Sequence, residues 1–138
     1  MDKKTSTKES ANMIKSVGRR KTAAARVRIT PGTGIITVNG RELAKYFPLK
    51  LQQQKVLAPL TATGKEKTFD VSIKVAGGGM SGQAEAVAHG IARALVTWNE
   101  ELKPVLRAGG HMTRDPRAKE RKKFGRTRAR RGHQWRKR

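Results

Sequence analysis

Half of the last 26 residues are cationic, and they set the chemistry that this chain can do. From Thr113 to Arg138 stand Arg114, Arg117, Lys119, Arg121, Lys122, Lys123, Arg126, Arg128, Arg130, Arg131, Arg136, Lys137 and Arg138, against Asp115 and Glu120, a net charge of +11. Guanidinium and ammonium groups at this density neutralise a polyanion, and each phosphate they neutralise releases condensed counterions. Fixing one backbone residue costs about 1–2 kcal/mol, and the segment has only Phe124 and Trp135 as large apolar side chains to offset it. Residues 111–138 therefore read as an extended basic tail that is disordered alone and takes its shape from a nucleic acid. A solubilising charge run is the plainer reading. The near-purity of sign and the interleaved aromatics weigh against it.

The remaining reactive groups do not assemble into a catalytic set. Cysteine is absent, which removes disulfides, thiolate metal sites and a thiol nucleophile. His89, His111 and His133 are scattered, and no acid stands near a nucleophile or a second carboxylate at working distance. The expectation is a protein that is not an enzyme, with no cofactor, no metal and no small-molecule substrate. Gly77-Gly78-Gly79-Met80-Ser81-Gly82 does match G-x-G-x-x-G. A dinucleotide fold, however, needs a second parallel strand after the helix, and Asn99-Glu100-Glu101 follows instead. The glycines read as a tight strand-to-helix turn, as a helix N-terminus facing a backbone phosphate, or as both.

The elements that must position these groups lie in the middle of the chain. Residues 1–30 carry 9 basic and 2 acidic side chains, 31–106 carry 9 and 6, and 107–138 carry 14 and 2. A nearly neutral body with basic ends is the electrostatic footprint of a nucleic-acid binder. Leu, Ile, Val and Phe number 26 of 138, but 24 of them fall within residues 17–106, so one core is expected there. The division is a disordered polar extension over 1–16, a globular α/β domain over 17–110 and the tail over 111–138. No stretch approaches a membrane span, the first 16 residues lack a secretory apolar region, and a cytoplasmic protein without a membrane partner is expected.

Alternation makes 25–30 a strand with Arg26 and Arg28 outward, and Pro31-Gly32 a turn into a second strand at 35–38. Asn39-Gly40-Arg41-Glu42 reads as a capping box that opens a short helix to Phe47. A further helix over 49–57 is expected to stop at Pro59. Phe69, Val71, Ile73 and Val75 face inward from a strand, with Lys74 outward. Residues 81–98 form a helix whose stripe of Glu85, His89 and Arg93 reads as facing solvent or RNA. A short helix over 101–106 with Pro104 in its first turn precedes Gly109-Gly110, which end the body.

An ordered set of motifs carries a resemblance. It comprises Gly18-Arg19-Arg20-Lys21-Thr22-Ala23, Ala25-Arg26-Val27-Arg28, Val38-Asn39, Tyr46-Phe47-Pro48, Gly77-Gly78-Gly79 with Gly82-Gln83-Ala84, Thr113-Arg114-Asp115, Glu120-Arg121-Lys122-Lys123 with Gly125, Ala129-Arg130-Arg131 and the terminal Lys137-Arg138. From Gly18 to Arg138 the chain resembles the bacterial-type family of ribosomal protein nine of the small subunit. The resemblance implies an α/β (α+β) fold: a four-stranded sheet backed by helices, like the second domain of ribosomal protein five, with a left-handed crossover. It implies small-subunit rRNA as ligand, neighbouring proteins of the subunit head as partners, and a tip that meets tRNA in the peptidyl site. The rRNA contacts are expected at Arg19, Arg20, Lys21, Arg26, Arg28, Gly77, Gly78, Gly79, Arg114, Arg117, Arg121, Lys122, Lys123, Arg126, Arg128, Arg130 and Arg131. The tRNA contacts are expected at Arg136, Lys137 and Arg138. The family usually ends Gln-Phe-Ser-Lys-Arg, where this chain has Gln134-Trp135-Arg136-Lys137-Arg138. An architectural DNA binder is the second reading and a nucleotide-dependent enzyme the third.

Overall fold

A computed structural model describes residues 12–137. Arg138 and most of the expected N-terminal extension, residues 1–11, lie outside the described residues. Strand β2 (Ala23–Pro31) and strand β5 (Phe69–Ala76) alternate between buried and outward positions, β2 as far as Thr30, and pair antiparallel at the centre of the sheet. Outside β2 lies β1 (Ile14–Arg20), also antiparallel. Outside β5 lie β3 (Ile36–Val38), parallel to β5, and β4 (Arg41–Glu42), giving the order β1-β2-β5-β3-β4. The sheet thus has five strands rather than the expected four. It also takes in Ile14, Lys15 and Ser16, which fall within the expected extension.

Two local expectations fail for identifiable reasons. Pro31-Gly32 does not make a hairpin, because β5 is inserted between β2 and β3. The loop instead winds around the Asp70 carboxylate, whose Oδ1 accepts the backbone N–H groups of Thr33, Gly34 and Ile35 at 2.9, 3.0 and 3.0 Å. Nor do Asn39-Gly40 cap a helix. Both have positive φ, 51° and 78°, and they form the two-residue turn that joins β3 to β4. Released from capping, the Asn39 amide donates to the Val75 carbonyl and accepts the Val75 N–H, each at 3.0 Å, so that a side chain extends the ladder beyond Val38.

The helices are α1 (Leu43–Tyr46), α2 (Lys50–Thr63), α3 (Met80–Trp98) and α4 (Lys103–Ala108), with a 3-10 turn at Glu100–Leu102 before α4. Pro59 sits inside α2 rather than ending it: its ring is buried, and the helix runs on to Gly64, whose left-handed φ of 66° closes it. Ala84, Val87, Ile91 and Leu95 of α3 meet the inward row of Ala25, Val27, Ile29, Val71 and Ile73 in one core. Val56 and Leu60 of α2 and Leu106 of α4 complete it. Burying each Val, Leu or Ile contributes about 1.5–3 kcal/mol. The opposite face of the sheet is exposed.

Strand β1 and helix α3 approach backbone to backbone. A Cβ on Gly18 would stand 1.9 Å from the Ala86 carbonyl oxygen and 2.4 Å from the Gly90 nitrogen. The Ser16 hydroxyl donates to the Gly90 carbonyl beside this crossing. The close approach is what brings the end of β1 within reach of α3's polar side chains.

Candidate nucleic-acid interface

The exposed face of the sheet is basic. Register sets Lys15 opposite Arg28 and Arg28 opposite Ser72, then Val17 opposite Arg26 and Arg26 opposite Lys74, all on the outward side. Together they line a shallow depression of about 240 Å³. The small side chains of Ser72 and Ala24 leave the long cations room to extend. Asp70 ends the β5 outward row, and its carboxylate is occupied by the loop amides. The hydrogen bond from Ile35, with those from Thr33 and Gly34, holds its pKa below the usual value against the opposing effect of burial. Arg26 and Arg28 thus stand where the sequence places them. Lys15 and Lys74 belong to the same face and were missing from the expected contacts, although the outward placement of Lys74 was legible from the alternation.

Arg20 is different. It is buried, with its guanidinium spent inside the chain rather than presented to a ligand. Its Nε donates to Glu85 Oε2 at 2.5 Å, its Nη1 to the Arg117 carbonyl at 2.6 Å, and its Nη2 lies 3.2 Å from Asp115 Oδ2. Lys55 reaches Glu85 Oε1 at 3.1 Å. Burial alone would raise Glu85's pKa, but the hydrogen bonds from Arg20 and Lys55 outweigh it and keep the carboxyl below its usual value. Asp115 in turn accepts the Arg117 N–H at 2.9 Å and pairs with the Arg117 guanidinium at 2.7 Å. These contacts with Arg117 hold the Asp115 carboxyl well below the usual carboxylate range.

A cleft of about 270 Å³ opens beside this network, lined by Arg19, Lys55, His89, His111 and Arg114 among others. His89 is half-buried on the wall of this cleft, and its Nδ1 is buried without a hydrogen-bond partner among the described residues. Burial lowers the imidazole pKa, opposed by the nearby Met112 backbone. Met112 packs on the edge of the core, and the His111 N–H closes α4 on the Leu106 carbonyl at 3.0 Å. The root of the tail, residues 111–117, is therefore docked on the body, past the expected boundary at Gly110.

Beyond Arg117 the described residues form no helix or strand, and most are exposed. Arg121, Lys122, Arg128, Arg131, Arg136 and Lys137 are among them. Glu120 gathers Lys123 and Arg130, the latter at 2.9 Å, while Arg126 Nη1 donates to the Arg130 carbonyl at 2.9 Å. Phe124 is fully exposed and Trp135 is 80% exposed, so neither aromatic is used in the core.

Lys21 stands exposed in the β1–β2 turn with φ of 54°. Gly77 and Gly78 have φ of 78° and 64° in the turn from β5 to α3. A Cβ on Gly77 would meet the Thr22 carbonyl oxygen at 2.6 Å, so this turn packs against the one carrying Lys21. The tight-turn reading of the glycines accounts for this geometry. No strand follows α3 among the described residues, so the second half of a dinucleotide fold is missing there.

Comparison with known proteins places the chain in a family. Residues 18–138 match the family model described as ribosomal protein S9/S16. Small ribosomal subunit protein uS9 of Anaeromyxobacter sp. (strain K) is 52% identical over 128 residues, covering 93% of this chain and 97% of that protein. The uS9 protein of Mycobacterium tuberculosis (strain ATCC 25618 / H37Rv) is 50% identical over 125 residues, 91% of this chain and 83% of that protein. With nearly its whole length so matched, the chain belongs to the ribosomal protein S9/S16 family, as a structural and non-catalytic constituent of the small ribosomal subunit.

Proposed function

We propose that this subunit constituent grips small-subunit rRNA at two places, the open face of its sheet and the arm beyond Arg117, chiefly through phosphates. The observation that carries the reading is the row of Lys15, Arg26, Arg28 and Lys74 on a face whose Asp70 carboxylate is already committed to backbone amides. Phosphate contacts position a protein without reading sequence. The narrow major groove of A-form RNA leaves shape and backbone as the accessible features.

Arg19, Lys21 and Arg114, with the exposed arm cations Arg117 to Arg131, supply the further rRNA contacts. Arg20 acts within the chain instead. The amides at Gly77 to Gly79 add a backbone contact, since α3 begins without a side-chain cap. At the tip, Arg136, Lys137 and Arg138 rest on anticodon-stem phosphates of peptidyl-site tRNA, and the extra cation at Arg136 strengthens that hold. Neighbouring head proteins and a cytoplasmic ribosome complete the setting. The crossover between parallel strands β3 and β5 is left-handed on this plan, as in the second domain of ribosomal protein five.

Salt titration tests the proposal. Removing one cation that neutralises a phosphate should flatten the slope of log K against log salt by roughly 0.7–0.9. Replacing Lys15, Arg26, Arg28 and Lys74 by Gln, or truncating after Arg117, should each reduce the slope for a small-subunit rRNA fragment. An unchanged slope in both refutes the two-site grip, and equal affinity for duplex DNA favours an architectural DNA binder. Deleting Lys137 and Arg138 should speed tRNA dissociation from purified subunits and leave assembly intact; an unaltered rate removes the tip assignment.

A further inference from the structure

We infer that Arg20 is a positioning residue, which clasps the root of the arm and so sets the direction in which it leaves the body before any RNA is bound. The inference rests on the proposed RNA role of the arm, but its first test does not. Arg20 is the one buried cation among the described residues, and it joins three separate parts of the chain: β1, on which it sits, Glu85 of α3, and Asp115 with the Arg117 carbonyl in the tail. A guanidinium suits this place because its planar fork sends donors along several fixed directions at once, which a lysine cannot do.

The partners are themselves held. Glu85 is steadied from its other side by Lys55. Asp115 closes a two-residue turn on the Arg117 N–H, so the segment that Arg20 grips is already compact. Two further observations point the same way: Met112 packs against the core, and the His111 N–H bonds the Leu106 carbonyl at 3.0 Å. An arm ordered as far as Arg117 meets RNA with several residues already placed, and the entropy of ordering them is not charged to binding.

This role is separable from a phosphate contact by the sign of a charge effect. Were Asp115 a bystander near RNA, Asp115→Asn would remove a repulsive charge and tighten binding. A clasp predicts that Asp115→Asn weakens binding, roughly tenfold if the preordering worth one charge-assisted hydrogen bond disappears. For Arg20→Gln the clasp predicts a similar weakening with the salt slope unchanged; a phosphate ligand would flatten the slope by roughly 0.7–0.9.

The experiment uses the full chain. Amide exchange across residues 112–117 is measured in the free protein and both variants, with thermal melting as a check on folding, and rRNA-fragment affinity is then titrated against salt. Faster exchange in both variants, weaker binding and a preserved slope support the clasp. Unchanged exchange overturns it, as does a flattened slope for Arg20→Gln or tighter binding for Asp115→Asn. Since Asp115 lies at the surface, its variant remains informative if Arg20→Gln does not fold. A parent protein that ignores RNA would sink the reading above while the exchange result still decides the clasp.

Discussion

Replacing Gly18 by alanine places a methyl group 1.9 Å from the Ala86 carbonyl oxygen, 2.4 Å from the Gly90 nitrogen and 2.9 Å from the Gly90 Cα. All three are backbone atoms of α3, so no rotamer change relieves the overlap. Restoring ordinary separation, at roughly 3.5 Å, requires helix and strand to part by more than an ångström. Parting them also loosens Ala86, Val87 and Ile91 against the sheet, and draws Glu85 away from Arg20. Inserting a methyl into a filled core typically costs about 1–3 kcal/mol, and a rigid backbone neighbour puts Gly18→Ala at the upper end. At about 4–8 °C per kcal/mol for a body of this size, the melting temperature should fall by roughly 12–24 °C. Differential scanning calorimetry checks it, with Gly132→Ala as control, because a Cβ there has no neighbour within 4 Å. If Gly18→Ala melts with the parent, the crossing is looser than described, and the reasoning that places Arg20 against Glu85 fails with it.

Two other side chains give separate tests. Asp70 has a folded pKa below its ordinary value because the Ile35, Thr33 and Gly34 amides bond its charged form; the stabilisation is complete above the unfolded carboxylate pKa of about 3.9 and disappears as pH falls through the lower folded value. Asp70→Asn should therefore flatten the acid limb of stability against pH, read by denaturant titration, and an unaltered limb would remove Asp70 from the account. Asn39→Ala breaks two hydrogen bonds to Val75 and puts a Cβ-bearing residue without a side-chain partner at φ of 51°. It should lower stability by about 1–3 kcal/mol; a change under about 0.5 kcal/mol, the range of ordinary surface substitutions, would count against the side-chain ladder.

What could be read from the residues follows from how each one is used. The alternation of Ala25 to Ile29 and of Phe69 to Val75 reports strands with one face in a core, and the apolar period of 81–98 reports one helix face in the same way. Strand β1 left no such trace, because its inward positions carry Ser16 and Gly18, selected for close approach to the helix backbone rather than for apolar area. Asn39-Gly40 satisfied two local rules at once. The turn wins because β3 lies beside β5, where the Asn39 amide reaches Val75. The burial of Arg20 was hidden for a different reason: an arginine within a basic motif looks like its neighbours until tertiary structure supplies Glu85, Asp115 and the Arg117 carbonyl. The exposed cations were legible because nothing in the chain competes for most of them.

The clasp also determines how tension on the arm travels. Without it, a pull on residues beyond Arg117 would peel the chain back through Gly110 and unwind the six-residue helix α4 from its C-terminal end. With it, the load enters at Arg20 and spreads into β1, whose ladder with β2 runs from Ile14 to Arg20, and into the long helix through Glu85. The body thus meets a tug on its tail with its central sheet and longest helix, and the short helix α4 is spared.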